Sequence, residues 1–167
     1  LLYNASEFMK YILIGFFLRL LVAVWNGFFG PSIGADGDAL LFHEIAVEVS
    51  RLGIFDAKYN IGWLYSIFLG SIYSVTLNSI FLGSVLSCLA WLGSAIALNK
   101  SIQLLGINKK YRDRALLIYA IIPSSILFTS VTLREVYQLL FINLLICVLE
   151  LLFLIHCPIL KEVSLIS

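Results

Sequence analysis

Asp36-Gly37-Asp38 and Arg134-Glu135 are the residues of this 167-residue chain whose types and spacing point to chemistry. Two acids straddling a glycine can take a proton from an incoming hydroxyl, or hold a hard divalent cation through their oxygens. A carboxylate at a water–lipid boundary is partly desolvated, which raises its pKa and suits it to act as a general base. An arginine offers a planar fork of donors to a phosphate. Together these are the parts needed to move a group from a lipid phosphate onto an acceptor. His43 follows Asp38 by five residues and is a further binding candidate. Each has a plainer reading: Asp38 as the cap of a helix over 39–52, Arg134-Glu135 as a solvated turn pair, His43 as a surface histidine.

The elements that must position these groups are apolar. The chain is 61% hydrophobic and 13% charged, with mean hydropathy +1.01; a soluble domain carries about 25% charged residues. The composition points to an all-α, polytopic integral membrane helical bundle. The net charge of +1 says nothing about nucleic acid, but no basic cluster is interleaved with aromatics as an RNA or DNA surface needs, so no nucleic-acid partner is expected. Cys88, Cys147 and Cys157 lie in or beside apolar runs without metal-site spacing and read as packing residues. The chain starts at Leu1 and ends within an apolar stretch, as expected of a piece of something longer.

Apolar runs over 8–29, 80–98, 115–131 and 136–156 read as spans. Arg19 sits inside the first, where it either snorkels, pairs with a neighbouring helix, or contacts an anionic lipid or phosphate. Glu150 in the last needs a partner that the sequence does not reveal. Pro123 and Ser124-Ser125 predict a kink or break in the third. The polar loop 31–60 carries an amphipathic helix, with Leu41, Ile45, Val49 and Leu52 on one stripe and Glu44, Glu48 and Arg51 on another. Gly53 ends it. The segment 61–77 is apolar but short, and reads as a juxtamembrane or re-entrant helix. Its Ser66/Gly70/Ser74 stripe and the Ser79/Gly83/Ser87 stripe of the next run suit small-face packing of the two helices.

Charge placement sets the topology. Lys100, Lys109, Lys110, Arg112 and Arg114 put the loop 99–114 on the cytoplasmic side. If 61–77 does not cross, Lys10 and Lys161 join them there. Asp36, Asp38, Glu44, Glu48, Asp56 and Glu135 then all face outward. If 61–77 crosses, Asp38 and Glu135 part company.

The segment Asp36-Gly-Asp38-Ala-Leu-Leu-Phe42-His43-Glu-Ile-Ala46 resembles the first external loop of GT-C fold glycosyltransferases, a superfamily that includes protein O-mannosyltransferases and lipid A aminoarabinose transferases. That family shows an acid, an aromatic a few residues on and an alanine eight residues after the acid, here Asp38, Phe42 and Ala46. Tyr59-Asn-Ile-Gly-Trp63-Leu-Tyr-Ser looks like its next, partly embedded helix. Ser130-Val-Thr-Leu-Arg134-Glu135 resembles its second external loop. Asn60-Ile61-Gly62 stands where the family carries a proline pair, and Glu135 where many members carry aspartate.

The resemblance implies the N-terminal portion of a membrane glycosyltransferase, in an inner or endoplasmic-reticulum-type membrane, with a polyprenyl-phosphate sugar as donor. Asp38, Asp36 and Glu135 are then the catalytic candidates. Arg134, His43 and Tyr59 are the substrate-binding candidates, and Asp36 and Asp38 the ligands of any divalent cation. The rival expectations are a non-catalytic membrane subunit that packs against others in a larger complex, and a polysaccharide polymerase or transporter component.

Overall fold

The computed structural model describes residues 2–30, 36–53 and 64–156. Tyr59, Asp56, Cys157 and Lys161, and the side chain of Asp36, lie outside the described residues. Among the described residues the chain is helical throughout: α1 (Leu2–Phe28), α2 (Asp36–Leu52), α3 (Leu64–Tyr73), α4 (Ile80–Leu104), α5 (Lys109–Ile121), α6 (Pro123–Thr129) and α7 (Glu135–His156).

Among the described residues three helices are long and apolar enough to cross a membrane: Met9–Phe28 within α1, then α4 and α7. The ten residues of α3 rise about 15 Å, half of a hydrocarbon core of about 30 Å. The run over 115–131 is two helices. Proline has no N–H and fixes its own φ, so the ladder of α5 stops at Ile121 and α6 restarts with Pro123 in its first turn. The expected loop over 99–114 is largely helical instead. α4 continues to Leu104 and closes on a left-handed Gly106 (φ 66°), with Gly106 N–H donating to Gln103 O and Ile107 N–H to Ile102 O. The Asn108 side chain then accepts from Lys110 N–H and starts α5.

α1 runs antiparallel to α4. The Asn26 amide donates to Ser84 near one end, and Gly15 meets Trp91 further along. Both crossings need glycine, because a Cβ on Gly27 would stand 2.6 Å from Phe81 Cβ and one on Gly15 2.7 Å from the Trp91 ring. α7 runs parallel to α4, with Thr132 beside Gly83 and Asn143 donating to Ser94 Oγ at 2.7 Å. Arg19, at the centre of α1, is fully buried and serves the break in α5–α6. It donates to Ala120 O, a carbonyl freed by that break, and to Gly15 O, Thr129 Oγ1 and Ser125 Oγ at 2.7–2.9 Å. Its guanidinium also lies 3.6 Å from the centre of the Trp91 ring. Of the readings open for Arg19, pairing with neighbouring helices is the one found.

Two sequence expectations about packing are corrected. The buried stripe of α2 is Ala39, Phe42, Ala46 and Val49 with Ile45, while Leu41 and Leu52 are exposed. The small-residue stripes do not face each other. Ser66 and Gly70 seat α3 on α2, through a bond from Ser66 Oγ to Phe42 O and a close approach of Gly70 to Val49 and Ala46 O. Gly83 faces Tyr73 and Thr132, and Ser74 is exposed. The stripes that could have recruited another subunit are largely spent inside this chain.

Candidate functional site

One end of the bundle gathers the C-terminal end of α1, the start of α4, residues 130–134 and the start of α7. There the buried face of α2 and α3 packs as one cluster of Ala39, Phe42, Ala46, Tyr65, Leu69 and Tyr73 with Val131 and Leu133. The opposite end carries Lys100 at the end of α4 and Lys109, Lys110, Arg112 and Arg114 on α5. The acids of α2 and the Arg134-Glu135 pair are therefore at the same end, away from the basic residues.

Asp38 is exposed and lies in the first turn of α2. It is not the cap expected from sequence, because the helix begins at Asp36. An acid in a first turn sits against the positive end of the helix dipole and gains about 0.3–1 kcal/mol from it. Phe42, one turn on and on the same face, is buried with its ring 5.9 Å from the Arg134 guanidinium carbon. That contact ties α2 to the start of α7. Arg134 and Glu135 form an ion pair at 3.5 Å, each about half exposed. Such a half-exposed pair holds little energy. Glu135 is also the first residue of α7, where an acid helps the helix whatever else it does.

A groove of about 600 Å³ opens beside this pair. One wall is Leu64, Tyr65 and Phe68 of α3; the other is Arg134, Tyr137, Gln138 and Phe141 at the start of α7. The lining is apolar apart from Arg134, Gln138 and the tyrosine hydroxyls. Sequence reasoning missed it, because it depends on how α3 meets α7, where the Tyr137 ring lies 5.2 Å from Tyr65 and 5.8 Å from Phe68. Its one trace in the sequence is Tyr137 and Phe141, a helical turn apart and just after Arg134.

His43 lies outside the groove lining and turns toward α4. Its Nδ1 is 3.0 Å from the Tyr73 hydroxyl, which donates to Ser79 O at 2.9 Å. Tyr73 has one proton and spends it on Ser79, so His43 is the donor at Nδ1. Burial holds the His43 imidazole below its ordinary value against the opposing field of Glu44, and burial pushes the Tyr73 phenol up. Among the described residues no group of three or more histidine, cysteine, aspartate or glutamate side chains could hold a metal ion. Cys88 and Cys147 are buried free thiols.

Asp38, Arg134 and Glu135 are thus brought to one end, His43 serves a different face of α2, and Tyr59 is outside the description. No family model, curated protein or solved structure matches this chain.

Proposed function

We propose that this chain is part of a membrane glycosyltransferase that moves a hexosyl or pentosyl group from a polyprenyl-phosphate donor to an acceptor on the outer face of the bilayer. What carries the reading is the groove. An apolar channel at the boundary, with Arg134 at its edge and the acidic first turn of α2 tied to that arginine through Phe42, suits a long-chain lipid with an anionic head.

In this reading the lipid chain lies along Phe68, Tyr137 and Phe141, and Arg134 exchanges Glu135 for the donor phosphate. Asp38 takes the proton of the acceptor hydroxyl as its oxygen bonds to the anomeric carbon. The bond from that carbon to the phosphate oxygen breaks, and the polyprenyl phosphate leaves with the electron pair, its charge held by Arg134. Asp36 and Glu135 are the secondary acids. Asp36 and Asp38 would hold any divalent cation, which would supply further stabilisation of negative charge.

The test is sugar transfer from a polyprenyl-phosphate donor by the full-length protein in vesicles. Asp38→Asn should abolish transfer while insertion and folding persist. Transfer retained by that variant would remove the assignment.

A further inference from the structure

We propose that α2 and α3 form a flap whose α3 face is one wall of the groove, and that the Tyr73 hydroxyl is the clasp that seats this flap on α4. α2 and α3 are bound closely to each other. Gly70 sits so near α2 that a Cβ there would be 2.7 Å from Val49 Cβ, Ser66 bonds to Phe42 O, and the Phe42 and Tyr65 rings meet edge to face at 5.3 Å. Their contact with the rest of the bundle is mostly packing: Leu82 and Leu86 lie against the pair, the Tyr137 ring meets Tyr65 at 5.2 Å and Phe68 at 5.8 Å, and Arg134 stands 5.9 Å from the Phe42 ring. Apolar and ring contacts of this kind are less strict in geometry than a hydrogen bond. The Tyr73 hydroxyl is directional. It accepts a hydrogen bond from His43 Nδ1 on α2 and donates one to Ser79 O, the carbonyl that also accepts Gly83 N–H at the first turn of α4.

The sequence makes room for this clasp. A side chain at position 83 would put its Cβ 2.9 Å from the Tyr73 oxygen and 3.0 Å from Thr132 Oγ1. Glycine lets the phenol reach the backbone of α4. Tyr73 is the last residue of α3, so the clasp fixes the end of the same helix whose Tyr65 and Phe68 form one groove wall. Releasing it leaves that wall held to α7 by the contacts of Tyr137 with Tyr65 and Phe68 and of Arg134 with Phe42, and the groove can then widen. The clasp does not depend on which group, if any, is transferred below it.

The test measures the groove width directly. Spin labels are placed at Phe68→Cys and Phe141→Cys, exposed positions on opposite walls, in the full-length protein in lipid nanodiscs. A control pair is placed at Leu89→Cys and Leu145→Cys on α4 and α7. Each pair is read with Tyr73 and with Tyr73→Phe, which keeps the ring and removes the hydroxyl. The proposal expects the groove pair to broaden and move to longer distance while the control pair stays fixed. Gly83→Ala, which displaces the hydroxyl from the other side, should give the same shift. An unchanged groove pair overturns the clasp. A shift in both pairs also overturns it, because Tyr73 would then hold the bundle as a whole.

Discussion

The Arg134 guanidinium stands 5.9 Å from the centre of the Phe42 ring. Through this contact the helix that carries Asp38 and the turn that carries Glu135 become neighbours, although nearly a hundred residues of chain lie between them. Replacing Phe42 with Leu keeps an apolar side chain but removes the ring face, a loss of about 0.5–1 kcal/mol for an exposed cation–π contact. The expected result is weaker retention of anionic lipid by the purified protein, with Arg134→Ala giving the larger loss. Equal lipid retention in all three proteins would break the link between this contact and the groove.

Arg19 should be costly to replace. Arg19→Leu strands Ala120 O and leaves Thr129 and Ser125 hydroxyls without a donor inside an apolar bundle. The expected destabilisation is about 2–5 kcal/mol, measured by thermal unfolding in detergent. Arg19→Lys should recover only part of it, because an ammonium cannot span acceptors that a planar fork reaches.

Two glycines should respond with opposite signs. Gly70→Ala drives a Cβ to 2.7 Å from Val49 Cβ and 2.8 Å from Ala46 O, and overpacking of this kind costs about 1–3 kcal/mol. Gly37, on α2, has nothing within 4 Å of an added Cβ. Alanine there should stabilise the protein by up to about 1 kcal/mol through helix propensity. Unfolding midpoints of the two variants settle both signs.

The flap should also respond to pH. Burial holds His43 below its usual 6.5 in the folded protein, while in the unfolded chain it titrates at the ordinary value. The unfolded chain then binds the extra proton more readily, so the contribution is complete above about pH 6.5. It is lost as pH falls through the depressed folded value. Tyr73 keeps its proton throughout, and Glu44 is the acid that opposes the depression. His43→Gln should flatten the fall in unfolding temperature between neutral and mildly acidic pH. An unchanged slope would show that His43 does not set it.

Much of this architecture was legible because apolar length is local information. The runs behind α1, α4 and α7 needed only hydropathy and a bilayer thickness, and Pro123 announced its own break. Other features required neighbours. Leu41 is more apolar than Ala39, so periodicity placed it on the buried stripe of α2. Packing chose Ala39 and Ala46 because small residues let α3 come close. The partners of Arg19 lie about a hundred residues away on a helix break, and no spacing rule connects them. The groove is a gap between two helices, and gaps leave little trace in sequence. For the site, the residue types and the shared end of Asp38 and Arg134-Glu135 were readable from charge placement. The Tyr73 clasp was not, since it rests on Gly83 being small where a phenol arrives from another helix.

The most direct measurement is side-specific labelling of single cysteines at positions 38, 135 and 110 with a membrane-impermeant maleimide in sealed, oriented vesicles. The account predicts that 38 and 135 label from the same side and 110 from the other. Labelling of 38 and 135 from opposite sides would contradict it.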